Sequence, residues 1–204
     1  MNNFALFANK GTGYAFLNEL IVNNLNPSLV ITQTPSDVYL KKNGIKKLIR
    51  YVKLLLSILS KRRYYNETFD VYYLCKRNKI PVLSSLFSNT DKLIRKCEKY
   101  NIDNGIVFTF SVLLKKNVID SFKKGIINFH PSLLPKHRGQ DPVFRTIYNG
   151  DKISGITIHL IDEKMDNGKI LLRKKSEIKE EDNVNTLSNM LLQSGIKELL
   201  FYIK

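Results

Sequence analysis

Gly125-Ile-Ile-Asn-Phe-His-Pro-Ser-Leu-Leu-Pro135 and His159-Leu-Ile-Asp-Glu-Lys-Met-Asp-Asn-Gly168 decide how this chain folds. The first is an apolar run that ends in Asn128-Phe129-His130 and breaks at Pro131. It predicts a buried strand with polar groups at its carboxyl end. Side chains alternate along a strand, so Asn128 and His130 share one face. An amide and an imidazole then stand side by side where open α/β sheets bind ligands. The second stretch supplies a carboxylate, Asp166, and a turn.

Outward from these stretches, strands and helices alternate. Residues 4–8 form a short apolar strand, followed by the turn Asn9-Lys10-Gly11-Thr12-Gly13 and a helix over 14–24 with Leu17, Leu20 and Ile21 inward. Residues 29–32 are the next strand. Residues 38–65 hold an amphipathic helix with Ile45, Leu48, Ile49, Val52, Leu55, Leu56 and Leu59 on one face and Lys46, Lys47, Arg50 and Lys53 on the other. A helix over 69–77 precedes a strand at 80–83. Ser88-x-x-Asp91 reads as a capping box for a helix carrying Leu93, Ile94, Cys97 and Tyr100. Residues 105–110 are a continuously apolar strand, as in the middle of a parallel sheet. A short helix near 117–122 follows.

This order predicts a doubly wound, mostly parallel α/β sheet. Beyond it, 155–161 and 169–174 are alternating segments too close for a helical crossover, so they pair antiparallel. A last helix over 184–203 turns Leu187, Leu191, Ile196, Leu199 and Leu200 inward.

With 204 residues, 43% hydrophobic and 25% charged, the composition is that of one globular domain rather than a disordered or fibrous chain. No apolar run reaches the ~18 residues of a membrane span. The first residues lack the features of a secretory signal, so a cytoplasmic location is expected. Cys75 and Cys97 lie outside metal-ligand spacing and read as buried thiols. The net charge of +15 points to a nucleic acid, an acidic membrane surface or an anionic substrate, or to a solvated basic face. Residues 38–65 carry nine Lys/Arg and no Asp or Glu.

The Gly-x-Gly pair at 11–13 does not make a dinucleotide site, because Phe16 stands where a third glycine belongs and no acidic partner follows. Backbone amides there suit an anionic part of a substrate. Asn128, His130 and Asp166 are the residue types that acyl transfer to an amine requires. An amide and a protonated imidazole donate to an acyl oxygen gaining charge, and a carboxylate near the imidazole accepts the amine's proton. That carboxylate is also expected to keep His130 charged. Ser132 lacks the elbow of a nucleophile. By spacing alone, a turn aspartate and a hydrogen-bonded histidine explain the same residues equally well.

Ile127-Asn-Phe-His-Pro-Ser-Leu-Leu-Pro-Lys-His-Arg-Gly139, followed by Gly155-Ile-Thr-Ile-His-Leu-Ile-Asp-Glu-Lys-Met-Asp-Asn-Gly168, resembles the formyltransferase family. That family includes glycinamide ribonucleotide, methionyl-tRNA and sugar N-formyltransferases. The resemblance implies one domain over 1–204 with a Rossmann-like formyltransferase fold, a mostly parallel doubly wound sheet ending in an antiparallel hairpin and a C-terminal helix. Residues 38–65 would be a basic helical insertion, compatible with peripheral membrane contact.

The resemblance further implies 10-formyltetrahydrofolate as formyl donor, no metal, and Asn128, His130 and Asp166 as the catalytic triad. The folate would lie against Phe110, Ser111, Val112 and Leu113, and against Ile161, Asp162, Glu163 and Lys164. Where the family more often has Asp-Thr-Gly, this chain has Asp166-Asn167-Gly168.

A methionyl-tRNA enzyme would carry a further nucleic-acid-binding domain, and none is expected here, nor a nucleic-acid partner. The segment Arg138-Gly-Gln-Asp-Pro-Val-Phe144 is similar to that of formyltransferases acting on amino sugars. The expected acceptor is therefore an anionic small-molecule amine, an amino sugar of a surface glycan, nucleotide-linked or of the nonulosonic acid type. Lys10, Gly11, Thr12, Arg138, Gln140 and Asp141 would bind it. The alternatives are glycinamide ribonucleotide formylation in purine synthesis, and an inactive protein of this fold that binds RNA or membrane through 38–65.

Overall fold

The computed structural model describes residues 3–32, 67–84, 90–110 and 112–203. The basic helix expected within 38–65, Ser88 of the capping box and Ser111 lie outside the described residues.

Seven strands form one sheet: β1 (Phe4–Ala8), β2 (Leu29–Thr32), β3 (Val82–Ser84), β4 (Asn104–Phe108), β5 (Ile126–His130), β6 (Ile153–Leu160) and β7 (Ile170–Glu177). Their spatial order is β3-β2-β1-β4-β5-β6-β7. The β1–β5 pairings are parallel, and β6 and β7 continue the sheet antiparallel. β1, β2 and β4 are buried along their whole length because both faces of the sheet are covered, so their sequences are continuously apolar.

Among the described residues six helices accompany these strands: α1 (Lys10–Val22), α2 (Glu67–Arg77), α3 (Thr90–Lys99), α4 (Lys116–Asp120), α5 (Pro142–Tyr148) and α6 (Val184–Ile203). One core joins Leu6, Ile106, Ile127 and Phe129 to Leu17 and Leu20 of α1, Leu74 of α2 and Leu187, Leu191 and Leu199 of α6. The opposite core joins Phe7, Ile31, Val107 and Ile126 to Leu93 and Cys97 of α3 and Val118 of α4. Phe16, Phe108 and Phe129 stack in series, with centroids 4.5 and 4.7 Å apart. Gly195 of α6 lets that stack close, since a Cβ there would stand 2.0 Å from the Phe129 ring.

Two local expectations change. The Gly-x-Gly segment is the first turn of α1, which starts at Lys10 rather than at Tyr14. Gly13 lies against β1, where a Cβ would come 3.0 Å from that of Ala8, so the glycine serves close helix–strand packing. α5 was not expected. It begins behind Asp141, held left-handed at φ 50°, with Pro142 in its first turn, a position where the missing proline N–H costs nothing.

No described helix is long and apolar enough to cross a membrane. Cys75 and Cys97 are free and buried, and burial pushes both thiols up to about 12.

Candidate active site

Asn128 and His130 emerge at the carboxyl end of β5 on the face of Ile126, and antiparallel β6 sets His159 opposite Asn128. Asp166 arrives from the β6–β7 connection in a left-handed conformation, φ 48°, one that a short polar side chain tolerates better than most. The structure thus brings the three sequence-predicted residues together.

The Asn128 amide gives one hydrogen to Asp166 Oδ1 at 3.2 Å and the other to His159 Nε2 at 3.1 Å. His159 Nδ1 donates to the Leu160 carbonyl at 2.8 Å, so in the neutral ring Nε2 accepts from Asn128, and in the charged ring its N–H faces Asp166 Oδ1 at 3.5 Å. A flipped amide would set its oxygen against a carboxylate, so the orientation is fixed. Asp166 Oδ2 accepts the Gly139 N–H at 2.8 Å. His130 Nε2 donates to the His137 carbonyl at 3.0 Å, and its Nδ1 faces Asp166 Oδ2 across 3.4 Å.

The loop that carries these carbonyls is braced from three sides. Thr157 Oγ1 donates to Ser132 O at 2.6 Å and accepts from Leu134 N at 3.0 Å. Ser132 Oγ donates to Lys136 O, so it is a buried brace with no nucleophilic role. The Arg145 guanidinium donates to the carbonyls of His137 and Arg138. The His137 ring is tied to Asp151 at 2.7 Å, as is Lys136.

Burial opposes charge on His130 and outweighs the raising pulls of the Asp166 carboxylate and the His137 carbonyl, so its pKa lies below the ordinary 6.5. The expectation that Asp166 keeps this ring charged is corrected: the pull exists, but desolvation wins. For Asp166, burial raises, but His159, the charge on His130 and the Gly139 N–H together hold the carboxyl below its ordinary 3.8. Both groups bind a proton less readily folded than unfolded. Their stabilisation is complete above about pH 6.5 and is lost in two stages as pH falls, first through the His130 range and then below 3.8. Chemical denaturation across this range should show the first loss shrinking in a His130→Gln variant. An equal loss in both proteins would refute its assignment to His130.

A cleft of about 610 Å³ opens over this cluster, within the roughly 300–1,000 Å³ of small-molecule sites. Val107, Phe110, Val112, Leu113 and Ile161 give it an apolar wall, and Asn128, His130, His159 and Asp166 a polar floor. Asp162 and Lys164 also line it. Glu163 does not: it is exposed and pairs with Lys116 at 3.0 Å. Asp162 shapes the loop by accepting from Lys164 N at 2.9 Å and from the Asn167 amide at 3.1 Å. Asn167 thus has a specific partner. An apolar wall beside a hydrogen-bonding floor fits a pterin-bearing group.

Of the residues expected at the acceptor, Gln140 and Asp141 line the cleft. Gly11, Thr12 and Arg138 are not among the described residues of its wall, and Lys10 opens α1. The start of α1 meets the rim through Thr109 Oγ1, which donates to Asn9 O at 3.2 Å. His159 escaped the sequence reading. Its signal was a polar residue two positions after Thr157, closing an otherwise apolar strand beside Asp166. Among the described residues there is no cluster of His, Cys, Asp and Glu able to hold a metal.

Fold and site together define a Rossmann-like α/β protein whose strand ends present an Asn–His–Asp cluster to a ligand cleft. Residues 60–201 match the Formyl transferase family profile. The chain belongs to the formyl transferase family, whose enzymes use 10-formyltetrahydrofolate. Its relatives include the methionyl-tRNA formyltransferases of Thermodesulfovibrio yellowstonii, 41% identical over 54% of this chain and 36% of that one, and of Borreliella afzelii, 43% identical over 50% and 32%. The chain spans about a third of the length of these curated relatives. Its fold superposes on the solved phosphoribosylglycinamide formyltransferase of Bacillus halodurans with a TM-score of 0.72 and 21% identity, covering 96% of this chain and 90% of that one.

Proposed function

We propose that this chain transfers the formyl group of 10-formyltetrahydrofolate to the primary amine of an amino sugar destined for a surface glycan, nucleotide-linked or of the nonulosonic acid type. When bound, the folate supplies the acyl carbon that the amine attacks. Phe110, Val112, Leu113 and Ile161 give it an apolar wall, and Asp162 shapes the loop opposite. Asn128 is the donor to the acyl oxygen. Its two hydrogens rest on His159 and Asp166 at 3.1 and 3.2 Å, and an oxygen gaining negative charge competes for one of them.

His130 Nδ1 receives the proton that the amine loses and passes it to the folate nitrogen whose bond to the formyl carbon breaks. Neutral at working pH, it faces a carboxylate oxygen across 3.4 Å, so a proton there turns an unused lone pair into a charge-assisted contact with Asp166. The imidazole is thus a base in the resting site rather than the cation expected from sequence. His159 keeps Asn128 oriented, and the Gly139 N–H holds the Asp166 carboxylate in place.

The observation that carries the acceptor assignment is the wall beside this centre. There Asp141 is held left-handed, makes no cap to α5, and exposes its carboxylate beside Gln140 in the cleft. A carboxylate and an amide with no side-chain partner among the described residues suit an ammonium group flanked by hydroxyls. A second reading, an aminoacylated RNA, draws on the relatives named methionyl-tRNA formyltransferase and on the charge of +15. Release of tetrahydrofolate in the presence of nucleotide-linked 3- and 4-amino sugars, an amino nonulosonate, glycinamide ribonucleotide and methionyl-tRNA tests both. Turnover is expected with an amino sugar, and turnover only with the RNA or with glycinamide ribonucleotide would overturn the assignment.

A further inference from the structure

Phe144 and Tyr148 of α5 have no role in the chemistry above, yet they are 54% and 79% exposed. Single exposed aromatics are ordinary on protein surfaces, but these two are paired. Their ring centroids lie 5.9 Å apart with planes inclined by 20°, so they form an offset-stacked pair that leaves both rings exposed. Phe144 lines the cleft, and Tyr148, one helical turn on, stacks on it from outside the cleft's described wall.

Arg145, between them in sequence, turns its guanidinium to the His137 and Arg138 carbonyls. This fixes the pair relative to His130, which bonds to the same His137 carbonyl. Arg138 itself is exposed and has no carboxylate partner among the described residues. From Asp141 to Tyr148, α5 advances roughly 10 Å at 1.5 Å per residue. That is comparable to the reach of a sugar and its diphosphate, and a single sugar ring seated at Asp141 would not extend to Tyr148.

We propose that Phe144 and Tyr148 are a stacking subsite for a nucleobase carried by the acceptor, with Arg138 the cation for its phosphates. The proposal rests on the amino-sugar reading and selects the nucleotide-linked class over the nonulosonic acid class. A flat aromatic surface accepts the π face of any base and discriminates weakly among bases. The subsite therefore recognises the presence of a base more than its identity. A nucleobase could also come from the 3′ end of an aminoacylated RNA, and the test separates the two sources.

Calorimetry on the full chain with uridine diphosphate, thymidine diphosphate and inorganic pyrophosphate as probes measures the subsite directly. The wild-type protein should bind both nucleotides more tightly than pyrophosphate. Phe144→Ala and Tyr148→Ala should each weaken nucleotide binding about tenfold, within the range of base–aromatic stacking, and leave pyrophosphate binding unchanged. Tyr148→Phe, which keeps the ring, should bind as the wild type does. Both positions are exposed, and a circular-dichroism melt checks that folding is intact.

Equal nucleotide affinity in the Phe144→Ala/Tyr148→Ala double variant, or no advantage of nucleotide over pyrophosphate in the wild type, overturns the subsite. Formylation of a nucleotide-linked amino sugar with KM unmoved by the double variant also overturns it, while the amino-sugar reading stands. Formylation confined to methionyl-tRNA, with nucleotide binding still lost in the variants, supports the subsite and overturns the amino-sugar reading.

Discussion

Asp166→Asn is expected to lower formyl transfer by ~10²–10⁴-fold, the range for loss of a positioned acid–base group. The substitution is nearly isosteric and can still accept the Gly139 N–H that Asp166 Oδ2 now holds at 2.8 Å. It removes the charge facing His130 Nδ1, however, and sets an amide group against the Asn128 amide, where Oδ1 now accepts at 3.2 Å. The proton receiver and the donor are impaired together. His130→Ala should cost a similar factor, and the double variant little more, because residues that act as a unit are not additive. Tetrahydrofolate release measures the loss, and unchanged thermal unfolding shows that the fold survives. Turnover within threefold of wild type in Asp166→Asn would sink the assignment of these roles.

Gly168→Ala is expected to damage both stability and chemistry. A Cβ at this position would lie 1.8 Å from the Leu160 carbonyl oxygen and 2.8 Å from its carbon. Both neighbours are backbone, and the same residue pairs through its N–H with Lys169 O at 2.9 Å, so no side chain can swing aside. Overpacking of this kind costs about 1–3 kcal/mol and occasionally more, or roughly 2–4 °C in Tm per kcal/mol for a chain of this size. The start of β7 must move, and Asp166, two residues earlier and already left-handed, moves with it. Activity should therefore fall beyond what the lost folded fraction explains. A melt and a turnover rate both unchanged in Gly168→Ala would refute the close approach.

The sheet and its hairpin were legible because the parallel strands are short, mostly apolar and bounded by breakers, and because the two alternating segments after them are joined by a connection too short to cross over. The first turn of α1 was not, because glycines signal turns in sequence but here serve to bring a helix close to Ala8. α5 was hidden by its length of seven residues, too short for a periodic signal, although Asp141-Pro142 marks its start. The Asn–His–Asp trio could be read from residue types and from family resemblance. His159 could not, because its role follows from the antiparallel register that sets it against Asn128. The charge state of His130 depends on how deeply the ring is buried, which no local pattern encodes.

The segment 137–141 gives two backbone groups to the residues we propose as catalytic, the His137 carbonyl to His130 and the Gly139 N–H to Asp166, and its next two side chains line the cleft wall where we place the acceptor. Recognition and reactivity therefore share one piece of chain. An acceptor that fits badly and shifts this segment also withdraws the N–H that positions the Asp166 carboxylate, so the mismatch should be felt in turnover as well as in affinity. A change of acceptor cannot be made here by reshaping the wall alone, because each new substrate must also leave that loop where the carboxylate needs it.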